Sequence, residues 1–135
     1  MTIAEFTVEG RPETKGSAKA FRSKSTGRII VKNDNARCKS WQTAVAWKAR
    51  LAMRAAPPTP DPVEVAVTFR VARPKTTKLA APRLDLDKLA RALLDGMTGV
   101  VYVDDKQVVR LVAAKEWGED GASVTVRTYK ESNDE

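Results

Sequence analysis

The chain has 135 residues, 42% of them hydrophobic and 30% charged, which suits one globular domain and is too short for two independent cores. Its 24 Lys+Arg against 17 Asp+Glu leave a net charge of +7, the balance of a protein that meets a polyanion. The absence of histidine excludes Ser-His-Asp and Cys-His catalysis and every histidine-liganded metal site, while a lone Cys38 rules out an internal disulfide and fits a reducing cytosol.

The opening MTIAEFTVEG has no basic segment leading into an apolar one, so no signal peptide is expected. No apolar run approaches the ~20 residues of a membrane span, and the expectation is a cytoplasmic protein with no membrane contact. Thr2–Val8 alternates weakly and predicts a first strand. From Arg11 to Lys39 nine basic residues face two acidic ones, a surplus of +7 equal to that of the whole chain. Within that stretch Gly16, Ser17, Ser23, Ser25 and Gly27 predict a loop or irregular hairpin ending in a short strand, Arg28–Val31. Ser40–Arg54 reads as a first helix, with Trp41, Ala44, Val45, Trp47, Leu51, Ala52 and Ala55 as its apolar stripe. Pro57, Pro58, Pro60 and Pro62 end it.

Val63–Val71 is the cleanest strand: its odd positions are apolar, its even ones Glu64, Ala66, Thr68 and Arg70. A basic, proline-bearing loop, Ala72–Leu84, leads to a second helix. There Leu86, Leu89, Ala90, Leu93, Leu94 and Met97 form a regular stripe, Asp85 stands at the N-cap, and Gly96 and Gly99 supply the stop. Val100–Val103, Gln107–Trp117 and Ala122–Tyr129 read as strands, the last two joined by a turn around Gly118–Gly121. Lys130–Glu135 reads as a frayed tail. The order predicts a single α+β domain over residues 1–135, a mixed β-sheet with two main helices packed on one face.

The informative charges are acidic. Asp85 and Asp87 flank the start of the second helix, and Asp104 and Asp105 follow the next predicted strand. The helix rises about 15 Å from Asp87 to Met97, and a returning strand from Val100 to Asp105 covers about 16 Å. If Thr98-Gly99 reverses the chain, the four carboxylates converge. Such a cluster needs a cation, and with no histidine the expected ion is Mg²⁺, with Mn²⁺ as a substitute. A carboxylate cluster in a basic protein suits an anionic substrate bridged by metal, hence phosphodiester hydrolysis. Each piece also has a plain reading: Asp85 as a cap, Asp87 against the helix dipole, Asp104-Asp105 as a solvated turn, Arg91 in an exposed ion-pair row with Asp87 and Asp95.

The run RLDLDKLARALLDGMTGVVYVDDKQVVRLVAAKEW resembles the signature of RusA-type Holliday-junction resolvases. In that family an Asp-x-Asp pair opens a helix, a D-[AG]-[LM]-x-G-V segment follows, and Asp-Asp-x-Gln-Val begins the next strand. The resemblance is specific over Leu84–Trp117 and looser at Gly10–Phe21 and Trp41. It implies a RusA-like fold and a homodimeric, Mg²⁺-dependent endonuclease that resolves four-way DNA junctions by paired nicks. Two active sites on a C₂ axis match the approximate two-fold symmetry of a junction. By position, Asp85, Asp87 and Asp105 match the catalytic, metal-binding aspartates, and Asp104 an auxiliary ligand. Lys88 and Arg91 stand where the family has Asn and Lys. A guanidinium at Arg91 stays charged, so it would stabilise the phosphate in the transition state and not act as a general acid.

Phosphate-backbone contacts are expected from Lys15, Lys19, Arg22, Lys24 and Arg28, from Arg73, Lys75, Lys78 and Arg83, and from Lys88. Trp41 and Trp47 read as core residues, while Trp117 and Tyr102 suit either core or base contact. No small-molecule cofactor is expected, and the resemblance alone points to a bacterial or phage origin. Two rivals stand beside this reading: a non-catalytic nucleic-acid-binding protein whose aspartates are caps and turns, and a metal-dependent phosphatase, for which so large a basic surface is superfluous. Aspartates more than ~10 Å apart would defeat either catalytic reading, since ions in two-metal sites lie ~4 Å apart.

Overall fold

A computed structural model of the chain describes residues 1–16, 18–22, 24–33 and 36–130; the side chains of residues 18–22 and 30–33 lie outside the description. Among the described residues, a four-stranded mixed sheet has the order β1-β6-β4-β5. Its strands are β1 (Thr2–Glu9), β4 (Val63–Val71), β5 (Val108–Trp117) and β6 (Gly121–Thr128). A separate antiparallel pair, β2 (Ala18–Arg22) and β3 (Ile29–Asn33), forms the hairpin expected in the basic stretch. The helices are α1 (Ala36–Met53) and α2 (Leu86–Met97). The predicted α+β class therefore stands. The tail beyond Lys130 lies outside the described residues.

Alternation positions the core. On β4 the odd valines and Phe69 are buried, and Val63, Val65, Val67 and Phe69 meet Trp41, Val45 and Ala49 of α1 and Leu89, Leu93 and Met97 of α2 in one cluster. Helix α1 begins a turn earlier than its sequence suggests, and its buried face is Cys38, Trp41, Val45, Ala49 and Met53. Trp47 and Leu51, expected in the core, are instead 61% and 56% exposed. They stand two residues beyond Val45 and Ala49, about 200° around a helix of 3.6 residues per turn. Gly96 is also not a stop signal. It is buried inside α2, where a Cβ would stand 3.1 Å from Val45 Cγ1, so it sets how closely the helices pack.

The connection after α2 differs most from expectation. Residues 98–102 are not a strand but a turn: the Gly99 amide donates to the Tyr102 carbonyl (2.7 Å), and the Val100 and Val101 amides return to Met97. Gly99 makes this possible with a φ of +84°. Strand β5 then pairs parallel with β4, while β6 lies on the other side of β4, antiparallel to it and to β1. Thus β4–α2–β5 is a parallel crossover unit, and β5 forms an edge of the sheet.

Candidate active site

A helix linking two parallel strands runs opposite to both. Two contacts fix where α2 begins: Lys115 Nζ donates to the Leu84 carbonyl (2.7 Å) and Trp117 Nε1 to the Leu79 carbonyl (2.9 Å). Asp85 and Asp87 therefore lie beside the end of β5. Asp104 and Asp105 precede Val108, which pairs with Val63 at the start of β4. The Tyr102 hydroxyl donates to the Leu94 carbonyl (2.6 Å), so this acidic turn lies beside the end of α2. From position 108 to 115 a strand covers about 23 Å, which puts the two acidic pairs on the order of 20 Å apart. The expected convergence within one chain is overturned by the polarity of the crossover. Among the described residues, no three His, Cys, Asp or Glu side chains gather closely enough to hold a metal ion.

Each aspartate has a distinct setting. Asp85 occupies the N-cap position and its carbonyl accepts the Leu89 amide, but its carboxylate caps nothing. It lies 3.4 Å from Lys88 Nζ and stays exposed. Asp87 is exposed in the first turn, and Arg91 is exposed one turn on. Neither forms an ion pair among the described residues, so the anticipated row through Asp95 does not form; Asp95 pairs with Lys15 instead. Asp104 is the true cap of the pair. It accepts the Lys106 amide (2.9 Å), which holds its carboxyl below the ordinary range, and Asp105 opens the short helical turn Asp105–Gln107.

Gln107 explains why this acidic turn keeps its shape. Its Oε1 accepts the Val103 and Asp104 amides (both 2.9 Å), while Nε2 donates to the carbonyls of Thr59 (2.7 Å) and Asp61 (2.9 Å). Four bonds from one amide anchor the turn to the segment that enters β4.

The family profile described as endodeoxyribonuclease RusA matches residues 9–129 of the 135. The chain belongs to the RusA endodeoxyribonuclease family. No curated protein matches it. The RusA family comprises divalent-metal-dependent endonucleases that resolve Holliday junctions, which gives the acidic and basic residues a common context.

The basic residues of this RusA-family chain fall in several places. Arg73, Lys75, Lys78 and Arg83 are all exposed on the loop between β4 and α2. Lys24 and Arg28 are exposed on the connection between β2 and β3; the side chains of Lys19 and Arg22 lie outside the description. Lys15 belongs to a loop whose backbone touches α2 (its amide donates to the Lys88 carbonyl, 3.2 Å), and its ammonium is spent on Asp95. Lys88 is half-buried and paired with Asp85. No helix among the described residues is long and apolar enough to cross a membrane.

The sequence does not single out Lys115; Arg11 enters only as the first residue of the basic stretch, and Gln107 only as the Gln of the Asp-Asp-x-Gln-Val segment. Lys115 carried a usable signal: it stands in the 111-113-115-117 series that shares a sheet face with the buried side of β4, where an apolar residue is the rule. Arg11 lines a slot beside Trp117, close to Leu84.

Proposed function

We propose that the chain is a Mg²⁺-dependent, homodimeric Holliday-junction resolvase whose active site draws on two chains. One chain holds the two acidic pairs beyond the ~10 Å that a catalytic reading within it allows, so by itself it does not fit the metal, and the catalytic reading stands only on a second chain. A two-fold axis across β5 changes this. It sets the two β5 edges antiparallel and brings the partner's Asp105 toward Asp85 and Asp87. The carrying observation is therefore the crossover itself, which puts one acidic pair at each end of an edge strand.

The edge has the character of an interface. Val109, Leu111 and Val112 are 52%, 41% and 51% exposed, on a strand whose outer side has no partner among the described residues. Charge is self-complementary as well. Arg110 and Glu116 share the open face of the sheet; Glu116 already pairs with Arg70 (3.3 Å), and an axis at Ala113 sets Arg110 opposite the partner's Glu116.

A divalent ion held there would neutralise charge on the scissile phosphate and acidify a water. In this reading Asp85, Asp87 and Asp105 are its ligands and orient the water, and Asp104 holds the turn in shape. Arg91, exposed one turn from Asp87 and without an ion pair among the described residues, neutralises the phosphate in the transition state. Arg73, Lys75, Lys78, Arg83, Lys24 and Arg28 contact the phosphate backbone. The non-catalytic rival draws on one observation, the capping role of Asp104.

A labelled four-way junction and a matched duplex, each with Mg²⁺ or EDTA, separate the two readings. Wild type is expected to nick the junction symmetrically and only with metal. Asp87→Asn and Asp105→Asn are each expected to lose at least ~100-fold in cleavage while still binding. Binding without cleavage by the wild type in Mg²⁺ and in Mn²⁺ would leave the binding-protein reading.

A further inference from the structure

We propose that the slot beside Trp117 receives one nucleobase of the strand to be cut, drawn out of its stack, with Arg11 and Arg83 on the flanking phosphates. The inference rests on the nuclease reading and adds a base-binding subsite to it. The slot has a volume of about 230 Å³, below the ~300 Å³ at which pockets for whole small molecules begin, and so suits a single ring system. Its apolar lining includes Val71, Pro74, Leu79, Pro82 and Trp117.

The slot is preformed. Trp117 Nε1 donates to the Leu79 carbonyl (2.9 Å), which fixes the indole plane. The Ala72 amide donates to Asp120 (2.7 Å) and Lys115 ties down Leu84, so the β4–α2 loop is held at both ends. Within it the Leu79 amide donates to Thr77 Oγ1 (3.2 Å). A rigid aromatic wall costs little ordering when a planar ligand stacks on it.

Charge specifies the ligand further. Among the described residues, the charged ones lining the slot are Arg11 and Arg83; both are exposed, and neither forms an ion pair there. An apolar peptide anchor has no use for two arginines, and a bare anion has none for an indole. A nucleotide uses both. The position fits as well, since Arg83 is two residues from Asp85 and Lys115 holds the carbonyl between them. A base extruded beside a scissile phosphate at a branch point, where stacking is already interrupted, would reach this wall at reduced cost.

The test is a binding cycle on the full chain in EDTA. Wild type, Trp117→Phe and Trp117→Ala are titrated with an intact four-way junction and with junctions carrying one abasic residue at successive positions from the branch point. On the intact junction Trp117→Ala is expected to weaken binding on the order of tenfold, with Trp117→Phe retaining most of the affinity. At one abasic position, wild type and Trp117→Ala are expected to bind equally. An equal Trp117→Ala penalty on every junction would mean that the indole only supports the loop, and would overturn the inference while leaving the resolvase reading intact. Failure of the wild type to prefer junction over duplex would instead overturn the resolvase reading, and the base slot with it.

Discussion

Gln107 shows how much of the acidic turn rests on a single side chain. It satisfies two amides and two carbonyls at once, and no hydrophobic replacement can do so. Gln107→Leu leaves these partners to water or unpaired, and is expected to cost about 2–3 kcal/mol, read as a lower midpoint in urea denaturation. Because the same bonds aim Asp105, cleavage is expected to fall more than stability alone explains.

Tyr102 is a second fixed point, fully buried with its hydroxyl on Leu94. Burial pushes the phenol above its ordinary pKa of 10.0. The folded chain therefore keeps this proton where the unfolded chain loses it, so this contribution is complete below pH 10 and declines as pH rises above it. Tyr102→Phe is expected to cost about 1 kcal/mol at neutral pH and to flatten the stability profile above pH 10, as followed by thermal melts across that range. At this scale the sequence was legible in part. The spacing of Asp85, Asp87, Asp104 and Asp105 stood out, but that Asp104 caps while Asp85 does not depends on which amides face each carboxylate.

Among the elements, those with clear periodicity were read correctly, β4 and α2 above all, because alternation and the 3.6-residue repeat report burial directly. Sequence and structure differ where the pattern is broad or short. The stripe assigned to α1 included Trp47 and Leu51, since a helix with a wide spread of apolar residues does not announce its buried face. The stretch after α2 reads as a strand from its β-branched residues, yet Gly99 turns it back on the helix end. A returning strand would bring the four carboxylates together within one chain, and the parallel crossover separates them: its polarity is set by which strands pair, and no local pattern records it.

Strand β5 is the element whose exposure calls for a partner. Val112 lies on its open face, half exposed, and beside the proposed two-fold axis. Val112→Asp puts two like charges close together across that axis at little expense to the isolated chain. Light scattering is expected to give twice the 14.8 kDa chain mass for the wild type and the single-chain mass for the variant, with unchanged far-UV circular dichroism. A wild-type mass of one chain would reject the interface.

In the proposed dimer each active site takes Asp87 from one chain and Asp105 from the other. The most direct measurement mixes Asp87→Asn with Asp105→Asn chains, refolded together in equal amounts, and follows junction nicking in Mg²⁺. Each variant alone carries a defect in both of its sites. In a mixed dimer built across β5, one site collects both substitutions and the other none, so nicking is expected to return to about a quarter of the wild-type rate for random pairing. If the wild type cuts the junction and the mixture stays as inactive as its parts, both aspartates act within one chain, and the shared site is wrong.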